Sequence, residues 1–111
     1  MENELLQKIV KILDNKKGIN IKYMEIKDVT TIADYFVITS GTSSTHIKSL
    51  ADNVEYELKK DGIYPNKIEG YETGTWILMD YGDVVVHIFT EKERENYKIE
   101  EIWEQMKQKL D

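Results

Sequence analysis

With 111 residues, 41% of them apolar and 32% charged, the chain has the length and composition of one folded domain rather than a disordered tail. Its formal net charge is −6 and its basic residues are scattered, with no arginine cluster, which argues against direct nucleic-acid binding through phosphates. It has no cysteine, which excludes disulfides and cysteine-based zinc sites. Neither a signal-peptide pattern after Met1-Glu2-Asn3-Glu4 nor an apolar run of membrane-spanning length is present, so a cytoplasmic protein with no membrane association is expected.

Leu5, Leu6, Ile9, Val10, Ile12 and Leu13 fall on one helical stripe, and Gly18 behind Lys16-Lys17 supplies a stop; a helix is predicted from about Asn3 to Lys16. Ile19, Ile21 and Tyr23 alternate with Asn20 and Lys22, the pattern of a strand with one wet face, at a sheet edge. A short turn through Thr30-Thr31 follows. Tyr35-Phe36-Val37-Ile38-Thr39 is rich in β-formers and runs into Ser40-Gly41-Thr42-Ser43-Ser44, a loop suited to capping a helix. That helix carries Ile47, Leu50, Ala51, Val54 and Leu58 on its buried stripe and ends near Gly62 and Pro65.

Beyond it, Lys67-Ile68-Glu69 reads as a short strand, and Trp76 to Asp80 and Val84 to Phe89 read as a hairpin turning through Asp80-Tyr81-Gly82-Asp83. The nearly unbroken apolar run of the second hairpin strand suits a strand covered on both faces. Thr90 and Glu93 have capping-box spacing, and Ile99, Ile102, Trp103, Met106 and Leu110 lie at helical spacing in a final helix. The order α-β-β-α-β-β-β-α implies an α/β (α+β) fold: a single domain over residues 1–111, with a mixed β-sheet of about five strands and helices packed on it.

Catalysis finds little footing. Ser40-Gly41 at a strand end faintly resembles the glycine-serine loop of nucleotidyltransferases, but that chemistry needs two carboxylates one residue apart to share divalent metals, and no Asp-x-Asp or Asp-x-Glu pair exists. His46 and His87 lack ligand-spaced partners; His87, inside the most apolar strand, reads as a hydrogen-bonded core residue, and His46 as a surface or capping one. No cofactor is implied.

Strand alternation sets Trp76, Leu78 and Asp80 on one face and Ile77 and Met79 on the other. An ionised Asp80 is costly to bury, which turns its face toward solvent and makes Trp76 the anchor of a protein-binding surface. The alternative, weighted equally, is a core Trp76 with Asp80 serving only the turn.

The stretch from Glu69 to Phe89, which includes Trp76-Ile77-Leu78-Met79-Asp80-Tyr81-Gly82-Asp83, closely resembles the signature of the ribosomal silencing factor (Iojap-like) family. Asp34 to Ser43 with Ala51-Asp52 resembles its earlier motif, and Arg94, Tyr97, Glu100 and Trp103 its C-terminal one; Asn96 departs from it, where the family tends to carry an aromatic. The resemblance implies a nucleotidyltransferase-like topology lacking the catalytic carboxylates, and no enzyme activity. It implies binding to the large ribosomal subunit through ribosomal protein fourteen, blockage of small-subunit joining when nutrients are scarce, and a homodimer when free. The partner-binding residues would be Trp76, Leu78, Asp80 and Tyr81, with Glu69 as a rim charge. Competing readings are a residual nucleotidyltransferase and a general dimerisation module with another partner.

Overall fold

Asn3 opens the first helix: its side-chain Oδ1 accepts the Leu6 amide at 3.0 Å, satisfying one of the donors that a helix start leaves free. The computed structural model describes residues 3–27, 33–98 and 100–101. Helix α1 spans Glu4–Asn15, and the chain then forms strand β1 (Ile19–Glu25) and strand β2 (Tyr35–Gly41). Helix α2 (Ser44–Lys60) begins at Ser43, whose Oγ accepts the His46 amide at 3.1 Å. Strands β3 (Lys67–Glu69), β4 (Trp76–Asp80) and β5 (Val84–Thr90) follow, and Thr90 caps helix α3 (Glu91–Tyr97), its Oγ1 accepting the Glu93 amide as the capping-box spacing predicts.

The five strands form one sheet in the order β1-β2-β5-β4-β3. Only β2 and β5 run parallel; the other pairs are antiparallel. This is the mixed sheet of the expected α+β fold, with β1 at an edge as its half-wet pattern indicates. The turn expected at Thr30-Thr31 lies outside the described residues, as does the final helix over Ile99 to Leu110 apart from Glu100 and Glu101.

Side-chain alternation divides the core. On one face, Leu6, Ile9 and Leu13 of α1 and Ile47, Leu50, Val54 and Leu58 of α2 pack against Val37, Ile77, Met79, Val84, Val86 and Ile88. Each fully buried Leu or Ile there contributes about 2 kcal/mol. On the other face, Ile26, Ala33, Phe36 and Val85 form a smaller cluster joined by Met24 and Leu78. Helix α3 lies against β5 and β2. Its Arg94 is buried, donating from Nη1 to the Asn20 carbonyl at 2.7 Å and to Ser40 Oγ at 3.0 Å, and from Nε to Glu100 Oε1 at 2.8 Å.

Candidate interaction surface

The hairpin joining β4 to β5 sets the register of the face. Tyr81 N–H donates to the Val84 carbonyl at 2.9 Å, and Gly82 takes a φ of 86°, which glycine adopts without steric cost. Asp80 Oδ1 accepts the Gly82 amide at 2.8 Å, so this carboxylate does serve the turn. Trp76 therefore lies opposite Phe89 and Leu78 opposite His87, while on the other side Leu78 pairs with Glu69 and Asp80 with Lys67. Trp76, Leu78, Asp80, Lys67 and Glu69 share the face turned away from α1 and α2, as alternation predicts.

The loop before β4 presses on Trp76 from its backbone side. Gly70 has φ 80°, and a Cβ there would collide with the Trp76 carbonyl oxygen. Four residues later Gly74 N–H donates to the Gly70 carbonyl at 3.0 Å, and Ser44 Oγ donates to the Gly74 carbonyl at 2.6 Å, tying the loop to the start of α2.

Trp76 is half-buried, between the open and the core alternatives. Its ring stacks on Phe89 at 5.0 Å between centroids and meets the half-exposed ring of Tyr97 at 4.7 Å. The indole Nε1–H donates to His87 Nδ1 at 3.1 Å. His87 is 3% exposed, and its burial pushes its pKa down to about 4, so the ring is neutral. Because an indole only donates, Nδ1 must be the unprotonated nitrogen and the proton sits on Nε2, which is buried without a hydrogen-bond partner among the described residues. His87 is thus the hydrogen-bonded core residue expected. His46 stands at the head of α2, its Nδ1 accepting the Thr42 amide at 3.0 Å.

Leu78 and Asp80 are half-buried, and Glu69 is exposed, 3.6 Å from Lys67. Tyr81 is elsewhere: it is 8% exposed and belongs to the helix-covered cluster, so it does not share the surface with the other four. Extending the β4 alternation by one residue would have placed Tyr81 with Ile77 and Met79. Burial pushes its phenol well above the usual range, and its hydroxyl has no hydrogen-bond partner among the described residues. His87, which accepts the Trp76 indole N–H, and Arg94, which ties α3 to β1 and β2, have roles that residue type and spacing alone do not reveal. Among the described residues no group of three or more His, Cys, Asp or Glu is arranged to hold a metal ion, and no helix is long and apolar enough to cross a membrane.

Fold and surface together define a small α+β protein whose most organised surface feature is a tryptophan set in an aromatic and histidine frame on one face of a mixed sheet. The family model described as ribosomal silencing factor during starvation matches residues 1–111, and the chain belongs to this family. It is 38% identical over 100 residues to the ribosomal silencing factor of Halalkalibacterium halodurans, covering 90% of this chain and 86% of that one. A mouse protein named for mitochondrial assembly of the ribosomal large subunit is 31% identical over 98 residues, covering 86% of this chain and 43% of the relative. A crystal structure of a protein from Chromobacterium violaceum superposes with a TM-score of 0.87 at 33% identity, covering 90% of this chain and 83% of that one.

Proposed function

We propose that this protein is a cytoplasmic, non-enzymatic repressor of translation, a single domain that docks on the large ribosomal subunit through ribosomal protein fourteen. By occupying the interface it blocks joining of the small subunit when nutrients are limiting. Family membership supports the reading, and the name of the mouse relative associates that protein with the large subunit of mitochondrial ribosomes.

The single observation that carries it is the half-buried Trp76, held by three aromatic neighbours and leaving part of its surface available beside Leu78. A rigid aromatic anchor loses little side-chain entropy on binding, which is why tryptophan is enriched at binding hot spots. Glu69 and Asp80 add carboxylates further along the same face, beside Leu78 and at the turn, and a net charge of −6 favours approach to a basic partner. Tyr81 supports β4 from below instead of touching the partner. No bond is made or broken: occupied surface is the whole effect. The free protein self-associates as a homodimer in this reading.

Sedimentation with separated ribosomal subunits tests it. The protein should travel with large subunits only and prevent added small subunits from joining. Trp76→Ala should weaken docking by at least about 2 kcal/mol, or about 30-fold, with a far-ultraviolet spectrum like that of the parent. Binding of the variant with undiminished affinity would remove Trp76 as the anchor, and a parent protein left in the supernatant would remove the ribosomal reading.

A further inference from the structure

The polar partner of Trp76 is not on the surface but beneath it. His87 is almost wholly enclosed by the sheet and its aromatic neighbours, with Phe36 at 4.6 Å and Phe89 at 6.2 Å between centroids. An aliphatic or phenyl side chain would fill such a place without leaving a polar nitrogen unsatisfied, yet His87 carries Nε2 there with no hydrogen-bond partner among the described residues. What the imidazole supplies that a phenyl group cannot is an acceptor for the Trp76 indole, 3.1 Å away across a diagonal of the β4–β5 pair.

We propose that His87 is a positioning residue for the docking surface: its unprotonated Nδ1 accepts the Trp76 indole N–H and selects the orientation in which the indole meets its partner. The ring contacts with Phe89, which is stacked, and Tyr97, which is tilted, hold the indole near the sheet, but neither is a hydrogen bond to its N–H edge. The directional bond makes that choice. An indole fixed before docking presents the same edge at each encounter, whereas one free to turn must be ordered when the partner arrives. This inference rests on the docking role proposed for Trp76, and the ribosome-free measurements below judge the hydrogen bond separately.

In the protein labelled with nitrogen-15, a two-bond nitrogen–proton spectrum should show His87 as the Nε2–H tautomer, and the Trp76 indole proton, identified by its loss in Trp76→Phe, should be protected from exchange with water. In His87→Phe, which keeps the ring volume but removes the acceptor, indole exchange should quicken and affinity for large ribosomal subunits should fall about tenfold. His87→Asn, whose amide oxygen can stand near the place of Nδ1, should recover most of both. Thermal melts separate these effects from loss of fold. An Nδ1–H tautomer in the parent overturns the proposal even if neither variant folds, and so does an unchanged indole signal in a folded His87→Phe. If the parent fails to bind large subunits while the tautomer and indole results come out as expected, the docking reading fails and the hydrogen-bonded arrangement stands.

Discussion

Burial of His87 predicts an acid sensitivity of the fold that one side chain accounts for. Its pKa falls from the ordinary 6.5 to about 4 on folding, because burial disfavours the charged ring. Between those values the unfolded chain binds a proton that the folded chain refuses, so stability falls as pH falls. The contribution is fully present above pH 6.5 and is lost progressively as the pH drops to the folded value. Taken over the whole interval this amounts to about 3 kcal/mol. Over the more practical range from about pH 7.5 to about pH 5.5 the expected loss is about 1 kcal/mol. Urea unfolding at these two pH values, for the parent and for His87→Phe, isolates the effect, since the carboxylates and His46 are common to both. The parent should lose about 1 kcal/mol more than the variant. Parallel losses in the two proteins would mean that His87 is not held neutral by burial, and would refute the reasoning.

Gly70→Ala combines a φ of 80° with a collision against the Trp76 carbonyl oxygen, and should destabilise the fold by more than about 2 kcal/mol in urea unfolding. Gly62→Ala, at φ 76° but with nothing within 4 Å of the added carbon, should cost only about 1 kcal/mol; equal costs would show that the collision at Gly70 is relieved by backbone movement. Arg94→Met should lower stability by about 2 kcal/mol, because it removes the donor that serves the Asn20 carbonyl and the buried Ser40 hydroxyl and leaves Glu100 with Lys22 alone among the described residues. In the same variant the Glu100 carboxyl should titrate higher by carbon-13 spectroscopy. Partial burial pushes that group up, and hydrogen bonds from Arg94 and Lys22 outweigh it to hold it below the usual range.

Local chemistry made much of the fold legible. Asn3, Ser43 and Thr90 mark helix starts because a side-chain oxygen beside free amides has few other uses, and the bounds of β3 and β4 follow from short alternating runs between glycines. Alternation likewise put Trp76, Leu78 and Asp80 on one face. It does not state which face the helices cover, and so left Trp76 open between core and surface; the sheet settles on a half-buried ring because β5 places Phe89 and His87 beside it. The Trp76–His87 bond depends on cross-strand register, which the turn between Asp80 and Val84 sets but composition does not reveal. Arg94 was harder still. A charged residue in a short polar helix reads as solvated, and only the approach of β1 and β2 to α3 surrounds it with acceptors.

The parallel pairing of β2 with β5 has a consequence in time. It joins Tyr35 to Val84 and Gly41 to Thr90, so the central strand of the sheet and its parallel neighbour are separated by nearly half the chain. Contacts of such long sequence separation close slowly, because the entropy of the intervening loop is lost before the strands reward it. During synthesis α1, β1, β2 and α2 emerge first, but β2 has no neighbour on its inner side until Val84–Thr90 arrive, and Ile77 and Met79 of β4 reach their place beside α2 through β5. The first half of the chain thus waits with apolar surface uncovered, a state from which both folding and aggregation proceed. Substitutions in β5 should therefore change the yield of folded protein in the cell more than their equilibrium cost alone would indicate.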